Sequence, residues 1–189
     1  ARRTALLLIA TLALLGTTVA TTSATTSAGG GLVASTSACP GQTKLDAPVA
    51  TQERAMLCMA NYARAQLGLG ALEATPPLEG SAKEKARDVL RCDSFSHYAC
   101  GREFEYWIRA SGYLSAPCWR AGENLAFGNG PLGSVRSIFR AWMRSPDHRE
   151  NILGDYTQTG IDLTTGTLEG FAGTRVWAQH FGTHCDAPA

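Results

Sequence analysis

The sequence has almost no excess of charge of either sign, because 17 Lys and Arg stand against 16 Asp and Glu in 189 residues. Such a chain has no general electrostatic attraction to nucleic acid or to an anionic membrane surface, and nucleic acid is not expected as a partner. Long hydrophobic runs are also scarce: the apolar run at residues 5–15 is 11 residues long, and a membrane span needs about 20. With 44% hydrophobic residues, the composition indicates one globular domain.

The N-terminal part has the three-part pattern of a secretory signal peptide. Arg2 and Arg3 precede the apolar run, and small residues follow it. We therefore predict that the leader is removed and that the mature protein is secreted, extracellular and free of a membrane span. Residues 21–37 are almost entirely Thr, Ser, Ala and Gly, a composition that predicts a mobile tether. The predicted organisation is a leader at 1–24, a linker and lead-in at 25–46, a folded domain at 47–185 and a tail at 186–189.

Six cysteines follow the leader, an even number that favours three disulfides in an exported chain. Sequence alone leaves many pairings open. Short separations favour Cys39 with Cys58 and Cys92 with Cys100, which leaves Cys118 for Cys185; a bridge from Cys92 to Cys118 would contradict this pairing. A structural zinc site is disfavoured, because the sequence contains no C-x2-C pair.

Apolar periodicity predicts four helices and three strands. The helices are expected at residues 47–67, 78–92, 104–111 and 135–143. Val49 and Leu67 lie on the apolar stripe of the first helix, and Ser145 with Pro146 is expected to end the fourth. Strands are expected at 123–127, 156–164 and 174–181, the last two forming a hairpin around a turn at 165–170. The strand at 174–181 has apolar groups on both faces, which predicts a sheet between helical layers.

Three polar stretches place candidate ligands or proton carriers beside glycine, aromatic or helix-ending residues. They read Phe-Ser-His at 95–97, Gly-Glu-Asn-Leu-Ala at 122–126 and Trp-Met-Arg-Ser-Pro-Asp-His-Arg-Glu-Asn-Ile-Leu at 142–153. With Asn-Tyr-Ala-Arg at 61–64 and Val-Trp-Ala-Gln-His-Phe-Gly at 176–182, in this order, the chain resembles the bacterial branch of the CAP superfamily, which includes cysteine-rich secretory proteins and venom allergens. The resemblance spans residues 47–184. It implies an α+β fold, a three-layer α-β-α sandwich with a small antiparallel sheet, whose central cleft holds two histidines and acidic residues.

The resemblance places His97, Glu123 and His148 at the cleft positions of the family. Animal members have a second glutamate where this chain has Ser145, and a histidine where it has Asp155. His148, from the bacterial pattern Ser-Pro-x-His-Arg-x-Asn-Ile-Leu, is therefore taken as the second histidine. The fourth member of the cluster stays open between Asp155 and Glu150.

Two imidazoles and one carboxylate suit a divalent metal such as zinc, with water in a fourth position. The same groups, His97, His148 and Glu123, could move protons without a metal, or could simply hydrogen-bond loops together. His180 and His184 are interpreted as surface or packing residues. Arg144 and Arg149 flank His148, as a solvated pair or as holders of an anionic ligand.

The function predicted is binding rather than catalysis. No G-x-S-x-G, H-E-x-x-H or G-x-x-x-x-G-K-[ST] motif occurs, and the acid and imidazole cluster lacks an evident nucleophile. We expect a monomeric secreted protein whose cleft binds a small molecule, a lipid, a cell-envelope ligand or a divalent metal. One alternative is a metal-dependent hydrolase of peptides or cell-wall material, with Glu123 as base and His97 and His148 as zinc ligands. Another is an adhesion or toxin-like module that acts through surface loops.

Overall fold

The computed structural model describes residues 31–185, so the predicted leader, the first part of the tether and the tail at 186–189 lie outside the described residues. Within 31–185, no helix is both long enough and apolar enough to cross a bilayer. The helices and strands, in chain order, are α1 (Val49–Ala65), β1 (Glu73–Ala74), α2 (Pro76–Arg91), α3 (Glu105–Ala110), β2 (Trp119–Gly128), α4 (Val135–Arg144), α5 (Pro146–Leu153), β3 (Gln158–Leu168) and β4 (Phe171–His184).

The four strands form one sheet in the order β1-β3-β4-β2. β4 lies at the centre and pairs antiparallel with both β2 and β3, as the predicted hairpin requires. The short β1 pairs parallel to the start of β3, at Gln158 and Thr159 only. In this register Glu123 of β2 lies directly opposite His180 of β4, so their side chains are neighbours on the same face of the sheet.

Helices cover both faces of the sheet, which confirms the predicted α+β, three-layer architecture. On one face Trp177 and Phe181 of β4 pack with buried residues of α1, α4 and α5. On the other face Val176 and Ala178 pack against α2. This alternation explains why β4 has apolar residues on both faces: side chains that follow one another along a strand point to opposite layers.

Gly160 brings α2 into direct contact with β3. A Cβ atom at this position would lie 2.0 Å from the carbonyl carbon of Leu78 and 2.1 Å from the backbone nitrogen of Glu79. Only glycine allows the two backbones to approach so closely. As a result, the side chains on the inner face of α2 reach the buried centre of the sheet.

The three disulfides are those favoured by the sequence. Cys39 is bonded to Cys58 and fastens the lead-in segment to α1. Cys92 and Cys100 close the loop after α2, and Cys118 and Cys185 join the chain before β2 to the end of β4. Each of the three bonds therefore holds a loop or a terminus against the sandwich.

The fourth helix ends before Ser145 and Pro146, as predicted. Pro146 also begins a further helix, α5, which was not predicted; a proline at the first helical position costs no hydrogen bond. The hairpin turn is also shorter than predicted, since β3 continues to Leu168 and only Glu169 and Gly170 connect it to β4. Both turn residues have positive φ, as a tight two-residue connection requires.

Burial corrects three further expectations. Val49 and Leu67 do not belong to the core stripe of α1; they are 47% and 52% exposed. Trp107, which its spacing in the helix predicted at 104–111 places among the expected core aromatics, is only half-buried. The end of the predicted mobile tether packs on the domain instead, since Ala34 is fully buried and Gln42 donates to its carbonyl oxygen.

Candidate functional site

Glu123 is the centre of the candidate site. It lies on β2 with its side chain 2% exposed and directed toward α2. The preceding Gly122 allows this path, because a Cβ atom there would lie 2.7 Å from the Tyr156 hydroxyl. The backbone of β2 is therefore held close to the loop that follows α5, and the Glu123 carboxylate is enclosed.

Both oxygens of the Glu123 carboxylate are engaged. Oε1 lies 2.6 Å from Nδ1 of His97, and Oε2 lies 2.8 Å from Nε2 of His180. The ammonium group of Lys85 lies 3.6 Å from Oε1 and donates to the carbonyl oxygen of His97. On its other side, Nδ1 of His180 lies 2.7 Å from the hydroxyl of Ser81. A continuous hydrogen-bonded chain thus runs from His97 through Glu123 and His180 into α2.

The electrostatics of the cluster keep Glu123 ionised. Burial by itself would raise its pKa, but hydrogen bonds from His180 and His97, together with the charge of Lys85, outweigh burial and lower the pKa below its usual value. Burial lowers the pKa of Lys85, and the neighbouring Glu123 opposes that shift. Glu123 and Lys85 form a buried ion pair, which is stable only while both partners are present.

His97 connects this buried pair to solvent. Its side chain is 50% exposed and lies on the loop between α2 and α3. Nδ1 is held by Glu123, whereas Nε2 has no hydrogen-bond partner among residues 31–185. Since Lys85 also holds the carbonyl oxygen of His97, the ring has a fixed orientation and one nitrogen left for a ligand.

His148 lies on α5, on the outer side of β2. Its carbonyl oxygen accepts a hydrogen bond of 3.0 Å from Asn124, and Asn151 in turn bonds to Asn124 and to the backbone of Glu123. Burial lowers the pKa of His148, and the nearby His97 lowers it further, whereas Asp147 raises it. The half-buried His148 ring makes no side-chain hydrogen bond within the described part of the chain.

The outer edge of β2 is closed beside the site. Three of its carbonyl groups accept hydrogen bonds from side chains of α4, of α5 and of the segment after α5, so no strand can add at this position. The pairs are Ala121 with the Tyr156 hydroxyl at 3.2 Å, Glu123 with the Asn151 amide at 3.2 Å, and Leu125 with the Trp142 indole nitrogen at 3.1 Å.

Of the residues predicted for the site, His97 and Glu123 are in contact. His148 lies close enough to His97 for the charge of His97 to lower the pKa of His148. Neither candidate for the fourth member belongs to the cluster. Asp155 is 91% exposed and pairs with Arg120 at 3.3 Å. Glu150 is exposed on α5 and makes no hydrogen bond or ion pair to the cluster among residues 31–185.

His180 takes the place that the sequence prediction assigned to an acid, and its interpretation as a surface or packing residue was incomplete. It is fully buried and bonds to Glu123. Lys85 was also missed, although it is 1% exposed. A signal for it existed: Lys85 follows Ala82 by three residues and precedes Val89 by four, the spacing of the buried helix face. His180 becomes recognisable only once the register between β2 and β4 is known.

The set His97, His148 and Glu123 is not assembled as three ligands around one metal position. Within residues 31–185, no group of three or more His, Cys, Asp and Glu side chains is arranged to hold a metal ion. Both oxygens of Glu123 are engaged by imidazoles, and Nδ1 of His97 is engaged by Glu123. The carboxylate of this predicted ligand set is therefore already engaged in hydrogen bonds to His97 and His180.

The fold, the disulfides and the site define the class of this protein. Residues 57–181 match the Cysteine-rich secretory protein family, also called CAP. Because the match covers more than half of the chain, the protein belongs to this family, and its relatives place it in the bacterial branch.

Among curated proteins, the chain is similar to the uncharacterized Bacillus subtilis protein YkwD, with 28% identity over 140 residues. The aligned part covers 74% of this chain and 50% of YkwD, so the chain spans about half the length of that relative.

Solved structures share the fold at low sequence identity. An outer surface protein of Borrelia burgdorferi has a TM-score of 0.56 and 22% identity, over 69% of this chain and 90% of that chain. An extracellular protein containing a SCP domain, from Bacillus anthracis, has a TM-score of 0.54 and 19% identity, over 70% and 40%. A cysteine-rich secretory protein of Staphylococcus aureus has a TM-score of 0.52 and 17% identity, over 70% and 39%.

Proposed function

We propose that this protein is an extracellular binding protein whose cleft takes up a small ligand with an anionic group, through the rings of His97 and His148. The observation that carries the proposal is the engagement of both Glu123 oxygens, at 2.6 Å by His97 and at 2.8 Å by His180. The groups left to meet a ligand are imidazole nitrogens. Imidazoles donate hydrogen bonds, and they become cationic in mildly acidic solution.

The same observation argues against a hydrolase. A general base must have an oxygen within reach of the water that it activates. The Glu123 side chain is 2% exposed and both of its oxygens face imidazoles, so bulk water has little access to it. Its role is to hold and orient His97. Through the buried ion pair with Lys85, it also fastens α2 to the sheet.

Two arginines near His148 in the sequence suit an anionic group. Arg144 and Arg149 are exposed, as is the acidic Asp147 beside His148, and Arg side chains bind carboxylates and phosphates well. Since burial lowers the pKa of His148, the ring becomes charged only in more acidic solution than a free imidazole. Affinity for an anion should therefore rise as the pH falls through the His148 pKa, and should be lowest above it.

Three probes test the proposal: inorganic phosphate, dodecanoate and Zn²⁺, each titrated into the full chain while the imidazole signals of His97 and His148 are followed by NMR. We expect phosphate or dodecanoate to shift both rings, more strongly at pH 5.5 than at pH 7.5. We expect Zn²⁺ to give no saturable heat in calorimetry at tens of micromolar. Saturable zinc binding that His97→Ala removes would overturn the proposal in favour of metal chemistry.

Matched variants show whether the cleft is the binding site. His148→Gln should weaken the anion about ten-fold, because it removes the ring and keeps a polar side chain of similar length. His184→Gln is the control, since this histidine lies at the end of β4, four residues after His180, and contacts the Tyr113 carbonyl oxygen. Equal binding by wild type and both variants would exclude the cleft and favour a module that acts through surface loops.

Secretion is supported by three disulfides, which persist outside the cytosol. It is also supported by structural neighbours described as outer surface, extracellular and secretory proteins. Expression of the chain in a bacterium, followed by mass spectrometry of the culture medium, should recover a protein cleaved near residue 24. Recovery of an uncleaved protein from the cell pellet would contradict secretion.

A further inference from the structure

Among residues 31–185, the outer edge of β3 has no strand partner over most of its length. β3 runs from Gln158 to Leu168, but β1 pairs with only its first two residues. Thr159 directs its carbonyl group outward, where it accepts a hydrogen bond of 3.0 Å from the backbone nitrogen of Thr75. Backbone groups alternate along a strand, so Ile161, Leu163 and Thr165 direct their N–H and C=O groups outward as well.

A groove follows this edge, between α1 and α2. Its volume is about 700 Å³, with Val49, Ala50 and Glu53 of α1 on one wall and Glu79, Gly80 and Lys83 of α2 on the other. A smaller depression of about 270 Å³ continues it toward β1 and shares Ala50, Glu53 and Glu79. From Ile161 to Thr165 this edge is about 13 Å long and recessed, since Ile161 and Leu163 are only 8% and 4% exposed, and its length suits four or five residues of extended chain.

Gly80 makes room on the α2 wall. A Cβ atom added to it would meet nothing within 4 Å, so no packing in the described structure requires glycine there. Glycine in a helix interior is unfavourable compared with alanine. Its place beside an open strand edge is where an incoming backbone and its side chains would need space.

Carboxyl groups determine the chemistry of the groove. Glu53 lies on the α1 side, and its Oε1 accepts a hydrogen bond of 3.1 Å from the backbone N–H of Leu163. Asp162 is 7% exposed and accepts a hydrogen bond of 2.6 Å from Thr164. With Glu79, these are three carboxyl groups without an ion-pair partner within 4.0 Å among residues 31–185. The cations beside them are Lys83, an Arg87 that already pairs with Glu84, and Arg54 in the smaller depression, which donates to the Thr51 hydroxyl.

We propose that this groove binds an extended peptide segment with a basic side chain, which adds as a further strand to the edge of β3. A carbonyl oxygen of the peptide would accept the hydrogen bond of the Leu163 N–H group in place of Glu53. The released Glu53 carboxylate would then pair with a Lys or Arg side chain of the peptide. Main-chain hydrogen bonds supply the affinity in this mode of recognition, and side-chain contacts supply the specificity. This surface is distinct from the cleft at Glu123.

A second copy of this chain does not suit the groove. Its own β3 edge is recessed in the same way, so two copies cannot bring their β3 backbones to hydrogen-bonding distance without contact between the walls formed by α1 and α2. A symmetric pair would also place Glu53 and Asp162 of one copy near the same carboxyl groups of the other. A slender single strand with a positive charge avoids both obstacles.

The probe is the hexapeptide acetyl-Thr-Lys-Val-Thr-Val-Thr-amide, titrated to about 5 mM into the ¹⁵N-labelled protein. We expect amide shifts and slower hydrogen exchange at Ile161, Leu163 and Thr165, with none at Leu125 on the closed edge of β2. The matched peptide with Glu in place of Lys should bind about five-fold more weakly. Equal affinity of the two peptides, or shifts confined to other surfaces, would overturn the proposal.

Two substitutions at one position separate binding from folding. Gly80→Ala should keep peptide affinity within about two-fold, whereas Gly80→Leu should weaken it at least about ten-fold by filling the groove. Both should fold, because both remove a glycine from a helix interior and the first atom of each side chain meets open space. Retained binding in Gly80→Leu would overturn the proposal, as would a concentration-dependent dimer that Gly80→Leu disrupts. A failure of the cleft to bind anions would leave these outcomes unchanged.

Discussion

Lys85 and Glu123 show how strongly one buried charge depends on another. Their side chains are 1% and 2% exposed, and the nearest charged atoms are 3.6 Å apart. Removing both charges together can be nearly neutral for a buried pair, but removing one leaves the other without compensation. The ammonium group also holds the carbonyl oxygen of His97, so the pair stabilises the site and the fold together.

Glu123→Gln should therefore lower the free energy of unfolding by about 3 kcal/mol, because it leaves Lys85 buried and unpaired. Urea unfolding followed by circular dichroism measures the change. The control is the double variant Lys85→Met with Glu123→Gln, whose loss should be smaller than the sum of the two single losses by at least about 1 kcal/mol. Strictly additive losses would show that the two side chains do not interact.

Asp162 should make the folded protein less stable as the pH rises, which is the opposite of the usual effect of a carboxyl group. Burial raises its pKa, although a hydrogen bond from Thr164 opposes the shift. For a carboxyl whose pKa is higher in the folded state, the favourable contribution is complete below the unfolded pKa and is lost as the pH rises through the folded pKa.

Asp162→Asn should accordingly be more stable than wild type at pH 7, and this advantage should shrink as the pH falls toward 4. Urea unfolding of both proteins at each pH tests the prediction. Glu103→Gln changes an exposed carboxyl and serves as the control, with no comparable trend expected. A constant difference between Asp162→Asn and wild type from pH 4 to pH 7 would contradict the assignment.

At the scale of the elements, two glycines at α2 have opposite effects on stability. Gly80 lies within α2 and faces open space, whereas Gly160 lies on β3 directly beneath the α2 backbone. The first is unfavourable for the helix, and the second is required by the packing.

Gly80→Ala should raise the free energy of unfolding by about 0.5 to 1 kcal/mol, because alanine is the better helix former. Gly160→Ala should lower it by about 3 kcal/mol, since a methyl group would collide with the backbone at Leu78 and Glu79. Thermal denaturation of the two variants beside wild type provides the measurement. Changes of the same sign would show that α2 can shift away from the sheet.

The elements also show what the sequence could predict. Four helices and the main hairpin followed from apolar spacing, because each long element buries one repeated set of residues. α5 was missed because its eight residues bury only Ile152, which leaves no periodic pattern. β1 was missed because two exposed residues, Glu73 and Ala74, form a strand only through their pairing with β3.

The site was only partly predictable for a related reason. His97, Glu123 and His148 lie in conspicuous polar motifs, so a sequence pattern could identify them. His180 and Lys85 lie among apolar neighbours, and their function depends on which residues face them across the sheet or from the helix. Contacts of this kind are set by register and packing, which short motifs do not encode.

At the scale of the whole molecule, the disulfides differ in the length of chain that they close. Cys118 and Cys185 are separated by 67 residues, whereas Cys92 and Cys100 are separated by 8. In the chain-entropy model, a longer closed loop restricts the unfolded chain more strongly.

Replacing Cys118 and Cys185 by Ser should therefore cost about 4 kcal/mol, against about 2.5 kcal/mol for Cys92 and Cys100. Guanidinium unfolding under non-reducing conditions compares the two double variants with wild type. A larger loss for the Cys92 and Cys100 variant would mean that native contacts in its loop, which carries His97, outweigh the entropy of the unfolded chain.

The two edges of the sheet differ in how they affect self-association at high protein concentration. Cross-β polymers grow because every strand that joins leaves another acceptor side for the next molecule. Here the side chains of Tyr156, Asn151 and Trp142 occupy one margin, and helices confine the other to a single slender guest. Neither edge therefore readily accepts a second copy of the folded domain, and we expect the folded domain not to seed fibrils.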